Sequence, residues 1–167
     1  SIFDLGIRHA VLANGTIFYN DQPQSIALDL HDVQFDSTFN NFLKKYSGTL
    51  TYSDGELNYA GTRVPAHTLN AQFDATPDTF HLSPAKIECG NSHLVLTATV
   101  NNYNAPSVEA QYNAIVDGGQ VAGILHNASI PSGLVAVSGN ARYQGHPDRT
   151  LLQSLVVKGE LTSRQLI

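Results

Sequence analysis

The stretch His93-Leu-Val-Leu-Thr-Ala-Thr-Val100 decides the fold class, because apolar side chains occupy every second position along it. Successive side chains of a β-strand point to opposite faces of a sheet, so this period of two gives a strand with one apolar face. The same alternation recurs in residues 26–30, 108–116 and 135–139. The sequence therefore predicts a protein built almost entirely of β-strands.

Turn signals separate the alternating stretches. Asn14-Gly15 and Asp54-Gly55 tolerate the positive φ angles of a two-residue β-hairpin, and we expect each to join two short strands. At about five to seven residues per strand, the chain holds roughly ten to thirteen strands in antiparallel succession. Further candidate turns are Gly90-Asn91, Asn101-Asn102, Gly118-Gly119 and Ser132-Gly133.

Two segments leave the type of structure open. Apolar residues from Phe39 to Tyr46 have the i, i+3, i+4, i+7 spacing of a helix face. They predict either one helix over residues 38–45 or an irregular loop held by hydrophobic side chains. In the tail 151–161 the spacing also fits a helix, but Val156-Val157 and Gly159 favour a strand.

Composition excludes several classes of protein. Lys and Glu, which favour helices, contribute only eight residues against thirteen Asn, and this excludes a helical bundle. Charged residues make up 14% of the chain, the net charge is −5, and the nine Lys and Arg are scattered, so no nucleic-acid partner is expected. Cys89 is the single cysteine and cannot form an internal disulfide. The uncharged residues 118–141 are interrupted by Gly and Pro and do not predict a membrane span.

The length predicts one domain. A chain of 167 residues is long enough for one core and short for two, so we expect a single β-repeat domain over residues 1–167. The sequence begins at Ser1 without Met and has no recognisable signal peptide. We therefore expect it to be an internal fragment of a larger protein.

Catalytic motifs are missing from the sequence: it has no G-x-S-x-G, H-E-x-x-H, G-x-G-x-x-G or phosphate-binding loop. His31-Asp32 and His146-Pro147-Asp148 place a carboxylate near an imidazole, but such residues more often belong to turns or polar faces than to acid–base or metal sites. Cys89 has only Lys86 as a nearby cation, which favours an unreactive thiol. We expect no enzymatic activity, no metal and no cofactor.

The pattern of strands and turns resembles that of the bacterial AsmA-like and TamB-like envelope proteins, members of the bridge-like lipid-transport superfamily. In residues 7–21, a strand reaches Asn-Gly and returns as an apolar-aromatic strand ending in Asn-Asp. A strand of alternating Leu and Asp follows in residues 26–33, and residues 46–57 and 94–100 are also similar. The resemblance covers most of residues 5–145.

The resemblance implies both a fold and a function. The fold is an elongated, curved antiparallel sheet of hairpin repeats with an apolar inner groove, called a β-taco. The parent protein would be anchored in the bacterial inner membrane and extend through the periplasm. There it would conduct phospholipids towards the outer membrane or, as part of a translocation and assembly module, assist the assembly of outer-membrane proteins. The implied partners are phospholipid acyl chains, neighbouring β-repeats of the same parent chain and an outer-membrane barrel protein.

A groove for acyl chains requires continuous apolar surface more than specific contacts, because each CH₂ left in water costs about 0.8 kcal/mol. A one-residue bulge would invert the face of every residue after it, so the period alone does not assign faces. The candidate groove residues are Leu28, Leu30, Leu50, Tyr52, Leu57, Leu69, Phe73, Leu82, Leu94, Leu96, Val108, Tyr112 and Val137.

Three other interpretations are compatible with the residues. In a closed β-sandwich the apolar residues would form the core, and the protein would be a non-enzymatic binding or adhesion module. A fragment of a parallel β-helix enzyme acting on polysaccharide is disfavoured by the two-residue turns, which join antiparallel strands. A lipopolysaccharide bridge protein of the jelly-roll type would share the groove and differ in cargo.

Overall fold

The strands of this chain are arranged in the order of the sequence. The computed structural model describes residues 7–23, 25–145 and 151–163. These residues form one open antiparallel sheet in which each strand pairs only with its neighbours in sequence, so the predicted all-β class is confirmed and the closed β-sandwich is wrong. The strands are β1 (His9–Asp21), β2 (Ile26–Asn40), β3 (Lys45–Tyr59), β4 (Thr62–Ala75), β5 (Thr79–Cys89), β6 (Ser92–Asn101), β7 (Ser107–Asp117), β8 (Leu134–Gln144) and β9 (Leu155–Ser163). Two short helices are α1 (Gly118–Ile124) and α2 (Leu151–Ser154).

The nine strands are fewer and longer than predicted, because two expected hairpin turns lie inside strands. Asn14-Gly15 is in the middle of β1 and Asp54-Gly55 is within β3. Both dipeptides lie at a β-bulge, where one strand has one residue more than its partner. Asn14 has a φ of 52°. The residue types that suit a tight turn also suit a bulge, since both need backbone conformations that Asn, Asp and Gly adopt easily.

Bulges recur in each of the first five strands. Asp32 supplies the bulge of β2 with a φ of 52°, and its Oδ2 accepts a hydrogen bond of 2.8 Å from Ser53 Oγ in the neighbouring bulge. The extra residues of β4 are within Pro65-Ala66, and those of β5 are within Ser83-Pro84. A proline is tolerated here because a bulge interrupts the hydrogen-bond ladder.

The true hairpin turns are at other positions. Ala60-Gly61, with φ angles of 50° and 81°, joins β3 to β4 as a two-residue turn of the type that follows strand twist. Gly90-Asn91 joins β5 to β6, as the sequence predicts. Asn102 begins the loop between β6 and β7, and Gly133 ends the connection between β7 and β8.

The helix predicted over residues 38–45 is wrong, and so is the irregular loop. Strand β2 continues to Asn40, whose Oδ1 accepts hydrogen bonds of 3.0 Å from the backbone N–H groups of Phe42 and Leu43 in a four-residue turn. Phe39 and Tyr46 face each other across β2 and β3, with ring centroids 4.5 Å apart. Their helix-like spacing is therefore that of a cross-strand pair.

Helix α1 was not predicted, whereas α2 lies in the tail for which the spacing also allowed a helix. Helix α1 begins at the expected turn Gly118-Gly119, where Asp117 Oδ1 accepts from the backbone N–H groups of Gly119 and Gln120. The tail forms the short helix α2 and then strand β9, so the strand favoured for residues 151–161 is confirmed from Leu155 onwards.

One face of the sheet is apolar from edge to edge, and we call it the apolar face; the opposite surface is the polar face. Among the residues with assigned cross-strand partners, this face carries two acidic or basic residues, Asp21 and His67. One row of partners crosses all nine strands: Leu12, Phe35, Leu50, Ala71, Ala85, Leu96, Tyr112, Gly139 and Gly159. A second row is Ala10, Ser37, Gly48, Phe73, Leu82, Ala98, Ala110, Ala141 and Val157.

The sheet curls towards its apolar face. Val33 and Ala71 are fully buried on that face, and Ala85 is 1% exposed, although the described residues form no second layer of sheet. A flat single layer would leave such side chains open to water. We refer to this concave apolar surface as the trough.

Candidate functional site

All thirteen residues predicted to line a groove lie on the trough side of the sheet. Leu28 pairs with Leu57 and Tyr52 with Leu69, while Phe73 pairs with Leu82 and Leu96 with Tyr112. The remaining five have apolar-face partners as well: Leu30, Leu50, Leu94, Val108 and Val137. The structure thus brings these residues together on one surface, and their contact with lipid stays a prediction.

Sequence reasoning missed several residues of the trough. Val33 is the most deeply buried large side chain, and Phe35 and Phe39 continue its alternation along β2. They are out of phase with Leu30 because the bulge at Asp32 adds one residue. If the two-residue period is counted afresh from Val33, after His31-Asp32, it places Val33, Phe35 and Phe39 on one face.

The trough is long, and none of its residues with an assigned cross-strand partner is a Lys or Arg. Eight inter-strand spacings of about 4.8 Å make it about 38 Å long across the nine strands. The Lys and Arg side chains whose ion pairs are resolved lie on the polar face, where Arg63 Nη2 is 2.7 Å from Glu56 Oε1 and Lys45 Nζ is 3.2 Å from Asp74 Oδ1. The Ser47 hydroxyl and then Lys45 hold the pKa of Asp74 below its usual value. Charge is thus kept away from the apolar rows.

The half of the trough formed by β2 to β5 is filled with aromatic side chains. Phe73 is stacked between Phe35 and Phe80, with ring centroids 5.4 Å and 5.7 Å apart. Leu30, Val33 and Tyr52 form a buried cluster beside them. Because no second layer covers these rings in the described structure, their mutual contacts provide much of the shielding of this half.

In the half formed by β6 to β9, the side chains of the apolar face are mostly small and project less far from the sheet; we call this surface the floor. Gly139 and Gly159 face each other in register, and Tyr112 lies over them, with its hydroxyl 2.4 Å from where a Cβ of Gly159 would be. The same hydroxyl donates a hydrogen bond of 3.4 Å to the Lys158 carbonyl oxygen. Alanines at positions 98, 110 and 141 continue the low floor across the sheet. Such a floor leaves space above it for an apolar guest.

A few polar groups interrupt the trough. His67 is 8% exposed, its Nδ1 is 3.1 Å from the Pro65 carbonyl oxygen, and its ring meets Tyr52 edge-on at 5.6 Å. Gly55 makes room for it, because a Cβ there would be 2.9 Å from His67 Nε2. Burial raises the pKa of the Tyr52 hydroxyl. Ser37 Oγ is buried without a hydrogen-bond partner among the described residues.

These polar groups are not arranged as the ligands of a metal ion. Within residues 7–23, 25–145 and 151–163, no three His, Cys, Asp or Glu side chains are grouped so as to hold a metal ion. His31 Nε2 is 3.2 Å from Asp29 Oδ1 and does not pair with its neighbour Asp32, which binds Ser53. The motif His146-Pro147-Asp148 lies outside the described residues.

A depression of about 680 Å³ lies between β6 and β9, and most of its lining side chains belong to the polar face. Glu109 and Arg142 line it as a solvent-exposed ion pair with 3.5 Å between Oε1 and Nε. An exposed pair of this kind is well hydrated and contributes little to binding. The trough is therefore the better candidate site.

One rim of the trough, at the turn between β5 and β6, is tied to α1 by hydrogen bonds. Gln120 Nε2 donates to Cys89 Sγ at 3.1 Å, and Ser92 Oγ donates to Gln120 Oε1 at 2.9 Å. Asn91 Nδ2 donates to Asp117 Oδ2 at 2.8 Å, which helps to hold the pKa of Asp117 below its usual value. Cys89 is thus a half-buried member of a structural network.

No helix in the described ranges is both long and apolar enough to span a bilayer. Comparisons with protein-family models, with curated proteins and with solved structures find no match to this chain.

Proposed function

We propose that this chain shields phospholipid acyl chains from water and lets them pass along its trough. The observation that carries this proposal is the set of apolar rows that cross the open sheet from β1 to β9. Keeping a sixteen-carbon chain out of water is worth about 12 kcal/mol, at about 0.8 kcal/mol per CH₂. A surface of that extent supplies the shielding without holding the cargo at one position.

The scattered positions of the polar groups in the trough support movement of the cargo more than storage. A specific binding site needs convergent polar groups that fix one orientation of the ligand. In the trough, the polar groups His67 and Ser37 lie apart, on β4 and β2. An acyl chain that slides from one strand to the next therefore exchanges one set of apolar contacts for another, mainly aromatic along β2 to β5 and mainly with small residues along β6 to β9.

The parent protein and its location are proposed from the resemblance. We place the chain in the periplasm, as a segment of a protein anchored in the bacterial inner membrane that delivers phospholipid towards the outer membrane. In this arrangement neighbouring β-repeats of the same parent would continue the trough at both edges of the sheet.

The edge strand β1 supports pairing with a further strand. Val11 and Phe18, on its polar side, are 61% and 69% exposed, whereas the corresponding side chains of the central strands are mostly polar. On its apolar side, Leu12 and Tyr19 are 45% and 50% exposed. The strand contains no Lys, Arg or Pro, which protein edges commonly use to prevent strand addition.

Self-association tests this edge. We expect the purified chain to form dimers or larger species by adding strands at β1, and Phe18→Lys to shift the population towards monomer in sedimentation velocity. Thr49→Lys adds the same charge to the polar face of the central strand β3 and should change nothing. A monomeric wild type, or equal effects of the two variants, would contradict edge pairing.

Assistance in outer-membrane protein assembly is a second candidate function. It is favoured by the same edge, because an open strand can template the strand of a barrel protein as it folds. Crosslinking from position 18 to an unfolded barrel protein would support this function. Crosslinking from within the trough alone would support lipid transport alone.

The direct test is native mass spectrometry of the protein purified from bacteria without detergent. We expect bound phospholipid, identified by extraction and lipid analysis, at one or more molecules per chain. Protein that carries no lipid after purification and takes none from phospholipid vesicles would refute the lipid-conduit function.

A further inference from the structure

The connection between β7 and β8 differs from those before it. It has sixteen residues, 118–133, whereas the connections from β1 to β7 have two to five. Helix α1 is attached to the end of β7, yet its backbone approaches β4. Since β5 and β6 lie between these strands in the sheet, the helix crosses over the rim of the trough at the turn Gly90-Asn91.

The hydrogen bonds of Gln120 place α1 on the trough side of this rim. Its two partners, Cys89 and Ser92, face each other in register. They are two residues from Ile87 and Leu94, a registered pair of the apolar face, and therefore point to the same side of the sheet. The helix thus extends over the apolar face at this end of the strands.

The base of α1 and the helix itself are held by different contacts. The base is closed by a hydrogen bond of 2.8 Å from the Gly118 N–H to the Gly133 carbonyl, and a Cβ on Gly118 would be 2.1 Å from the Pro131 oxygen. The N-cap Asp117 belongs to this base, since it is bound by Asn91 Nδ2 and its backbone N–H donates to Ser92 Oγ. Beyond the cap, the hydrogen bonds that join the helix to the sheet are those of the Gln120 side chain. Side-chain hydrogen bonds of this kind contribute only modestly to stability.

The composition of α1 fits contact with an apolar guest. Its seven residues, GGQVAGI, include no charge, and Leu125 after it is 54% exposed. Val121 and Ile124 are only half-buried. A helix without a charged face is normally covered by other apolar groups. Here the adjacent apolar surface is the trough.

We propose that α1 is a flap that covers this rim of the trough, is latched by Gln120, and opens to admit acyl chains from the side. This role rests on the proposed lipid-conduit function. When closed, the flap replaces water over the part of the trough nearest to β4, β5 and β6. When open, the two hydrogen bonds of Gln120 are broken while the base at Gly118 and Gly133 stays closed.

Cys89 provides a built-in reporter, because it is the only cysteine and lies beneath the latch. Gln120→Leu keeps a side chain of similar size over the thiol and removes both hydrogen bonds. We expect its Cys89 thiol to react about tenfold faster with a disulfide reagent than the wild-type thiol does. This factor corresponds to a loss of about 1.4 kcal/mol in the free energy that favours the closed flap. Ser92→Ala removes one of these bonds and also the hydrogen bond of 3.0 Å that Ser92 Oγ accepts from the Asp117 backbone N–H, and it should act in the same direction. Gln111→Leu, on the polar face of β7, is the matched control and should react at the wild-type rate.

The same variants are then loaded with a fluorescent phospholipid from vesicles. We expect Gln120→Leu to load faster than the wild type and to reach the same final stoichiometry. Equal thiol reactivity, or equal loading rates, in the wild type and Gln120→Leu would overturn the flap and leave the lipid-conduit function standing. A wild type that takes up no lipid would overturn both.

Discussion

Replacing Leu96 or Tyr112 with aspartate is expected to abolish phospholipid retention. The two side chains face each other in register on β6 and β7, near the middle of a row that crosses the whole sheet. A carboxylate there would either stay hydrated, which separates the acyl chain from the surface, or lose its water at a cost of several kcal/mol. Either effect removes a large part of the free energy, roughly 12 kcal/mol, that is gained when a sixteen-carbon chain is kept out of water.

The matched controls for this experiment are the neighbouring pair Thr97 and Gln111, which face each other on the polar face of the same two strands. Thr97→Asp and Gln111→Asp introduce the same charge one residue away and should retain lipid as the wild type does. Native mass spectrometry gives the bound lipid per chain, and circular dichroism checks that each variant keeps its sheet. Folded Leu96→Asp protein with a full lipid load would contradict the assignment of the trough as the lipid surface.

Phe73→Ala is expected to lower the free energy of unfolding by about 3 kcal/mol, at the lower end of the range for a buried phenylalanine. Phe73 is 9% exposed and stacks on both Phe35 and Phe80. Its partner in β3 is Gly48, which has no side chain to replace the lost ring. Removing the ring therefore opens a gap between β2 and β5 that neighbouring side chains cannot fill.

Urea denaturation followed by circular dichroism measures this loss. The control is Gln72→Ala, which alters the adjacent exposed residue on the polar face of β4 and should change the free energy of unfolding by less than about 0.5 kcal/mol. Equal stability of Phe73→Ala and the wild type would show that the aromatic side chains do not hold this half of the sheet together.

Alternation of apolar residues was sufficient to predict the all-β class, and the turn signals predicted the antiparallel order. The open sheet was implied by the resemblance, because alternation alone is equally compatible with a closed β-sandwich. Alternation was also insufficient to place the chain reversals. Asn14-Gly15 and Asp54-Gly55 occupy bulges, whereas Ala60-Gly61 makes a tight turn. The local residues specify which backbone angles are tolerated, but whether the chain reverses there depends on the pairing of whole strands.

The surface of the candidate site was predictable because large apolar side chains mark it in addition to the two-residue alternation. Leu30 and Tyr52 lie on opposite sides of bulges from Val33 and Leu57, yet all four have the same orientation, since the sequence shifts its apolar residues at each bulge. Helix α1 was not predictable from propensity, because Gly-Gly disfavours a helix start. Its position depends on the Asp117 cap and on the distant partners of Gln120.

The strictly sequential order of the strands has a consequence for how the protein is made. Every strand finds its partner after a short connection or, at β8, after a sixteen-residue one, so no step requires distant parts of the chain to meet. Closing such short loops costs little entropy, and local contacts favour fast folding. The sheet can therefore grow by one strand at a time while the chain is still emerging from a ribosome or an export channel. Each arriving hairpin extends a template that is already formed.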